Sequence, residues 1–192
     1  SGNYTLDQPA GLTADITAKQ LTASVTADNK VYDGTTATTG SVGSLNGIIA
    51  GDTVNLTGTD SYDFADKNVG SGKTVMVSGL SLDGADAGNY ILAALTGTAD
   101  ITAKLLSILG VTASNKVYDG STAASLDTGS ASLAGVVGGD TVGLETGSVS
   151  GSFADKNVGT GKAVAASGFA ISGADSGNYT LDQPAGLTAD IT

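Results

Sequence analysis

The sequence predicts an all-β chain built as two tandem sandwich repeats, and three observations carry that prediction. Its longer motifs recur once each in the same order. Apolar residues alternate with polar ones at a period of two. Turns rich in glycine, aspartate and asparagine separate the alternating runs at short intervals. No segment places apolar residues at helical spacing over three turns. The 29 glycines among 192 residues, together with abundant threonine, oppose helix through backbone entropy and β-branching.

The repeat organises everything else. DNKVYDGTT at 28–36 returns as SNKVYDGST at 114–122, and GDTV at 51–54 returns at 139–142. FADKNVGSGK at 64–73 becomes FADKNVGTGK at 153–162, GADAGNY at 84–90 becomes GADSGNY at 173–179, and TADIT at 98–102 closes the chain at 188–192. All eight lysines match in pairs: Lys19/Lys104, Lys30/Lys116, Lys67/Lys156 and Lys73/Lys162. Residues 1–17 are identical to residues 176–192. The preferred frame is therefore a tail of a preceding copy at 1–17, repeat 1 at 18–103 and repeat 2 at 104–192; a frame of 1–85 and 86–175 fits the same sequence. The joins ITAK-QLTASV and ITAK-LLSILG hold no Gly/Ser spacer, which limits interdomain swing, so the units are expected to form an extended, semi-rigid rod. Every unit is acidic, and mutual repulsion favours that extension.

Taken in order, Leu21, Ala23 and Val25 alternate with Thr22, Ser24 and Thr26 as a first strand, and the YDG turn follows. Val54 and Leu56 mark a middle strand, and DKNVG marks the next turn. Val75 and Val77 continue as Leu80 and Leu82 in shifted register, which predicts a bulge at Gly79; Val164 and Ala166 continue as Phe169 and Ile171 after Gly168. Asp86 to Tyr90 and Asp175 to Tyr179 then follow the D-x-[AG]-x-Y pattern of the immunoglobulin tyrosine corner, in which the hydroxyl bonds to backbone just upstream. With a strand at 74–82 before it and one at 98–103 after it, this corner makes the expected fold an immunoglobulin-like β-sandwich, with Asp86, Tyr90, Asp175 and Tyr179 as the corner residues. Another small β-rich fold such as a β-grasp accommodates the same strands. On the sandwich reading residues 1–17 are an orphan F–G hairpin, Tyr4 to Leu6 and Leu12 to Ile16 around Pro9-Ala10-Gly11, expected to be poorly ordered or docked on a neighbour.

Composition excludes much chemistry. The chain has no Cys, His, Trp or Arg, and Glu145 is its single Glu, so thiol or imidazole catalysis, a Cys/His zinc site and an arginine clamp are all ruled out. A net charge of −11 argues against nucleic acid and against anionic lipid surfaces. No apolar run reaches the ~20 residues of a spanning helix, so membrane insertion is not expected. Nor is an enzyme: paired carboxylates across a cleft are not evident.

Two candidate sites remain. Tyr32-Asp33-Gly34 and Tyr118-Asp119-Gly120 read either as recognition loops offering an aromatic ring and an acceptor to a sugar, or as turns in which Asp bonds nearby amides and Gly takes positive φ. Asp60, Asp63, Asp66 and Asn68 are expected to crowd one loop with hard oxygen ligands and are the only candidates for a cofactor, calcium; copy two keeps only Asp155 and Asn157 of them.

The constellation KVYDG, GD, FADKNVGTGK, GADSGNYTL and TADIT closely resembles the YDG repeat of large bacterial exoproteins, the filamentous-haemagglutinin-like adhesins often exported by two-partner secretion. The resemblance spans nearly the whole chain. It implies a secreted, Gram-negative cell-surface protein acting in attachment or biofilm matrix, with the repeats as its stalk and no catalytic residue to carry over. The expected partners are neighbouring repeats of the same chain, with polysaccharide or host glycan as the second reading.

Overall fold

The computed structural model describes residues 2–192. In repeat 1 the alternating runs become β1 (Lys19–Ala27), β2 (Lys30–Val31), β3 (Ala37–Thr38), β4 (Gly40–Asn46), β5 (Asn55–Phe64), β6 (Gly70–Asp83), β7 (Tyr90–Leu92) and β8 (Leu95–Thr102). Repeat 2 follows the same course in shorter pieces: β9 (Lys104–Leu109), β10 (Thr112–Ala113), β11 (Ala123–Ala124), β12 (Leu126–Asp127), β13 (Ser132–Ala134), β14 (Gly143–Glu145), β15 (Ser150–Phe153), β16 (Gly159–Ser167), β17 (Ala170–Ser172), β18 (Tyr179–Leu181) and β19 (Leu187–Ile191). Helix among the described residues is confined to two 3-10 turns, Ala87–Asn89 and Ser176–Asn178. The chain is predominantly β.

The larger sheet of repeat 1 runs β2-β8-β6-β5-β3, and a second sheet runs β4-β1-β7. β6 is the spine, antiparallel to β5 on one side and to β8 on the other. Its register against β5 shifts at Gly79, which has φ +82; the matching break between β16 and β17 falls at Gly168, with φ +86. β1 lies antiparallel to β4 but parallel to β7, and β2 lies parallel to β8. Repeat 2 keeps these relations, with β9 antiparallel to β13 and parallel to β18, and β16 between β15 and β19.

This order corrects the immunoglobulin expectation. In that sandwich the penultimate and last strands are neighbours in one sheet; here β7 joins β1 and β8 joins β6. The same fact corrects the F–G hairpin. Residues 176–192 do not form one, because β18 pairs with β9 while β19 pairs with β16. The identical residues 2–17 form no strand at all and are exposed throughout, with Tyr4, Leu6, Leu12 and Ile16 facing solvent; Ser1 lies outside the described residues. In repeat 2 this sequence pairs with β9 and β16, and the corresponding places beside β1 and β6 in repeat 1 are filled by β7 and β8.

The interiors follow the alternation. One pole of repeat 1 buries Leu21, Val54 and Tyr90, and the far pole of repeat 2 buries Phe153, Val164, Ala189 and Ile191. The largest cluster belongs to neither repeat alone. It joins Tyr32, Tyr62, Phe64, Val75, Ala99 and Ile101 of repeat 1 to Leu106 and Tyr179 of repeat 2. The interiors of the two repeats are therefore continuous where they meet.

Candidate functional site

The most densely bonded polar cluster lies at that meeting point, and it is assembled from turns. After β2, the Asp33 carboxylate accepts the Thr35 N–H at 2.8 Å and the Thr35 hydroxyl at 2.8 Å, an Asx turn with Gly34 at φ +82. Lys30 Nζ closes the turn 2.7 Å from the same oxygen and donates to the Thr35 and Ala37 carbonyls. Burial would push the Asp33 carboxyl up, but the Lys30 ammonium and the Thr35 donors hold it at about 2. This turn seats Tyr32, whose N–H donates to the Thr102 carbonyl and whose side chain is 1% exposed.

The ring of Tyr32 meets repeat 2. Its hydroxyl donates to Asp140 Oδ2 at 2.7 Å, and the hydroxyl of Tyr179 donates to the same oxygen at 2.6 Å. Lys67, from the DKN turn of repeat 1, donates to Asp140 Oδ1 at 3.0 Å and lies 3.9 Å from Asp175. The Asp140 side chain is 3% exposed, so a carboxylate that burial would penalise is held by two phenols and an ammonium. The hydrogen bonds from Tyr179 and Tyr32, with Lys67, draw its pKa below the ordinary carboxylate value. Reciprocally, burial and the Asp140 charge push Tyr179 up to about 12 and raise Tyr32. Lys67 is raised, chiefly by its bond to Asp140. The two rings pack edge to face with centroids 5.4 Å apart, and Lys67 Nζ sits 5.8 Å from the Tyr32 centroid.

Around this centre the backbone is stitched across the join. Val69 donates its N–H to Asn178 Oδ1 at 2.9 Å, and Asn178 Nδ2 donates to Asn68 Oδ1 at 3.3 Å. Asn178 is the buried polar residue of the described chain, at 6% exposed. Tyr179 Oη accepts the Val137 N–H, and Asp175 accepts the Thr141 N–H, which fixes the GD turn of repeat 2 beneath the YDG turn of repeat 1. A Cβ on Gly34 would stand 2.8 Å from Val137 Cγ1, so the backbone itself approaches the neighbouring repeat. No buried side-chain polar atom among the described residues lacks a partner.

A model of the YDG domain matches residues 17–98 and again 102–186. The chain belongs to the YDG domain family. No curated protein and no solved structure matched it.

Within the YDG repeats the residues singled out from sequence separate into three groups. Tyr32 and Gly34 enter the junction, while Tyr118 is half-exposed and Gly120 faces open space, although the second turn is built identically: Asp119 accepts the Ser121 N–H and hydroxyl, and Lys116 foremost holds it at about 2. Tyr90 and Tyr179 reach farther than a tyrosine corner. Their hydroxyls accept the N–H of Ile49 and Val137, 41 and 42 residues upstream, and donate to Asp52 and Asp140. Asp86 and Asp175 bond Thr53 and Thr141 rather than the tyrosines. The calcium candidates do not converge. Asp60 accepts from Tyr62, Asp63 from Thr36 and Ser61, Asp66 from Asn68 and Lys73, and Asn68 faces Asn178. Among the described residues no three acidic side chains lie close enough to hold a metal ion.

Asp140, Lys67 and Asn178 are the junction residues the sequence reading passed over. Their signal was present, since each sits in a duplicated motif and each has a twin: Asp52, Lys156 and Asn89.

Proposed function

We propose that the chain is a structural spacer, YDG repeats that lock end to end and hold flanking segments at fixed distance. On this reading it is a stretch of stalk in a large secreted, filamentous-haemagglutinin-like bacterial adhesin or biofilm-matrix protein at the cell surface. It catalyses no reaction and needs no cofactor. One observation supports it above the others: a buried carboxylate, Asp140, spends its acceptors on Tyr32 and Lys67 of the preceding repeat. A hinge that swung freely would break both of these charge-assisted hydrogen bonds at once. The continuous apolar cluster across the join and the absence of a flexible linker support the same reading. A glycan-binding role for the first YDG turn is disfavoured, because Tyr32 has no free face to offer a sugar.

The test uses the cysteine-free background, in which Thr74→Cys and Thr160→Cys place one spin label on an exposed strand position of each repeat. Pulsed dipolar measurements should give a single narrow distance distribution. Asp140→Asn should broaden it and lower the Tyr179 pKa from about 12, since burial would remain while the charge is gone. A broad distribution in the unmutated junction would remove the basis for a spacer.

A further inference from the structure

The junction uses one pole of each repeat, which leaves two poles over. The free pole of repeat 2 carries Tyr118, Gly120, Lys156, Asn157 and Val158, the counterparts of the five repeat 1 residues Tyr32, Gly34, Lys67, Asn68 and Val69 that enter the junction. The free pole of repeat 1 carries Ile49, Asp52, Asp86, Asn89 and Tyr90, the counterparts of Val137, Asp140, Asp175, Asn178 and Tyr179 that receive them. Each pole is preformed. The Asx turn at Asp119 matches that at Asp33, and Tyr90 already bonds Asp52 and Ile49 as Tyr179 bonds Asp140 and Val137.

We propose that these two poles are complementary halves of a second junction, closed when another copy of this chain follows head to tail. The occupant of the repeat 2 pole is repeat 1 of the next copy. Four observations carry this. Side chains covered in the existing junction are uncovered at the free poles: Tyr118 is 49% exposed against 1% for Tyr32, Val158 is 65% exposed where Val69 is half-buried, and Asn89 is exposed where Asn178 is buried. The apolar clusters are cut in the same place. Phe153, Val164, Ala189 and Ile191 correspond to Phe64, Val75, Ala99 and Ile101, and Leu21 and Tyr90 correspond to Leu106 and Tyr179, yet the latter pair is fused to its partner set and the former is not. The charges match as well: Lys156 at one pole is the counterpart of Lys67, and Asp52 and Asp86 at the other are the counterparts of the Asp140 and Asp175 that Lys67 faces. The sequence spells the join. Residues 1–17, which lead into Ala18, are identical to 176–192, so Thr192 followed by Ala18 restores the chain's own order at that point.

The inference rests on the spacer reading and deepens it by naming the partner. Its test is a chain of residues 1–192 continued by a second 18–192, with Tyr118→Phe in the second copy so that one Tyr118 remains. Nitration by tetranitromethane is followed by peptide mapping, with exposed Tyr4 as the reactive reference. In the single chain Tyr118 should be modified readily and Tyr32 spared. In the doubled chain the Tyr118 rate should fall about tenfold or more, the factor that about 1.4 kcal/mol of docking supplies, and Asp52→Asn in the second copy should restore it. Unchanged Tyr118 reactivity in the doubled chain, or protection that survives Asp52→Asn, overturns the second junction. Ready modification of Tyr32 in the single chain would instead sink the spacer reading itself.

Discussion

Asp140 accepts two tyrosine hydroxyls through one oxygen and a lysine through the other, and that asymmetry shapes the join. One phenol belongs to its own repeat and prepositions the carboxylate; the other arrives from the neighbour with the ammonium that balances the charge. Gly34 brings the neighbour close enough. Its φ of +82 is matched by +80 at Gly120, so the two glycines carry the same backbone demand in different surroundings. Alanine at either site meets the left-handed penalty, about 1–2 kcal/mol. At Gly34 the added methyl also runs into Val137, whereas at Gly120 nothing lies within 4 Å. Gly34→Ala should therefore lower urea-unfolding stability by about 1–3 kcal/mol more than Gly120→Ala does, the range expected for overpacking. Equal losses would mean that Val137 yields freely and that Gly34 serves its turn alone.

At the scale of elements, one seventeen-residue sequence occurs twice with two outcomes. As residues 176–192 it forms β18 and β19, and as residues 2–17 it forms no strand. Strand formation here is a property of neighbours more than of local preference. Ile191 is 1% exposed between β16 and the Phe153 cluster, while Ile16, the same residue in the same context, is fully exposed. Ile191→Ala should cost about 2–5 kcal/mol by the usual cavity and transfer terms, and Ile16→Ala should stay within about 0.5 kcal/mol; chemical denaturation of the two variants makes the comparison. The same contrast explains what could be read in advance. Alternation at Leu21 to Val25 and Val75 to Val77 located strands, and the shifted pattern after Gly79 located the bulge, because those signals are local. The parallel partnership of β1 with β7 joins residues some seventy positions apart, and nothing at either end encodes it. The junction was hidden for a related reason: Tyr32 and Asp140 stand 108 positions apart, and aligning the copies sets Tyr32 beside Tyr118 and Asp140 beside Asp52, never beside each other.

For the molecule as a whole, the absence of histidine leaves no side chain titrating between the carboxylates and the tyrosines and lysines. Five carboxyls are held low. Lys73 and Lys162 do this foremost for Asp66 and Asp155, Lys116 does it for Asp119, Lys30 and Thr35 outweigh burial at Asp33, and the two phenols lead at Asp140. A depressed carboxyl stabilises the fold in full above its unfolded value of about 4 and loses that contribution as pH falls through the folded value. At the other end, burial with Asp60 raises Tyr62 to about 12, burial with Asp140 does the same for Tyr179, and Lys67 is raised by Asp140. Those contributions are complete below about pH 10 and disappear as pH rises through the elevated values. Stability should therefore be level from about pH 5 to about pH 9 and fall on both sides. Asp140→Asn isolates the junction within that curve. Its deficit relative to the unmutated chain should be constant across the plateau and shrink below about pH 4, as protonation of Asp140 removes the charge that the substitution removes. Thermal unfolding midpoints of both proteins across the acid range make the measurement, and a deficit that keeps its plateau size down to about pH 2 would mean that the carboxylate charge does not hold the repeats together.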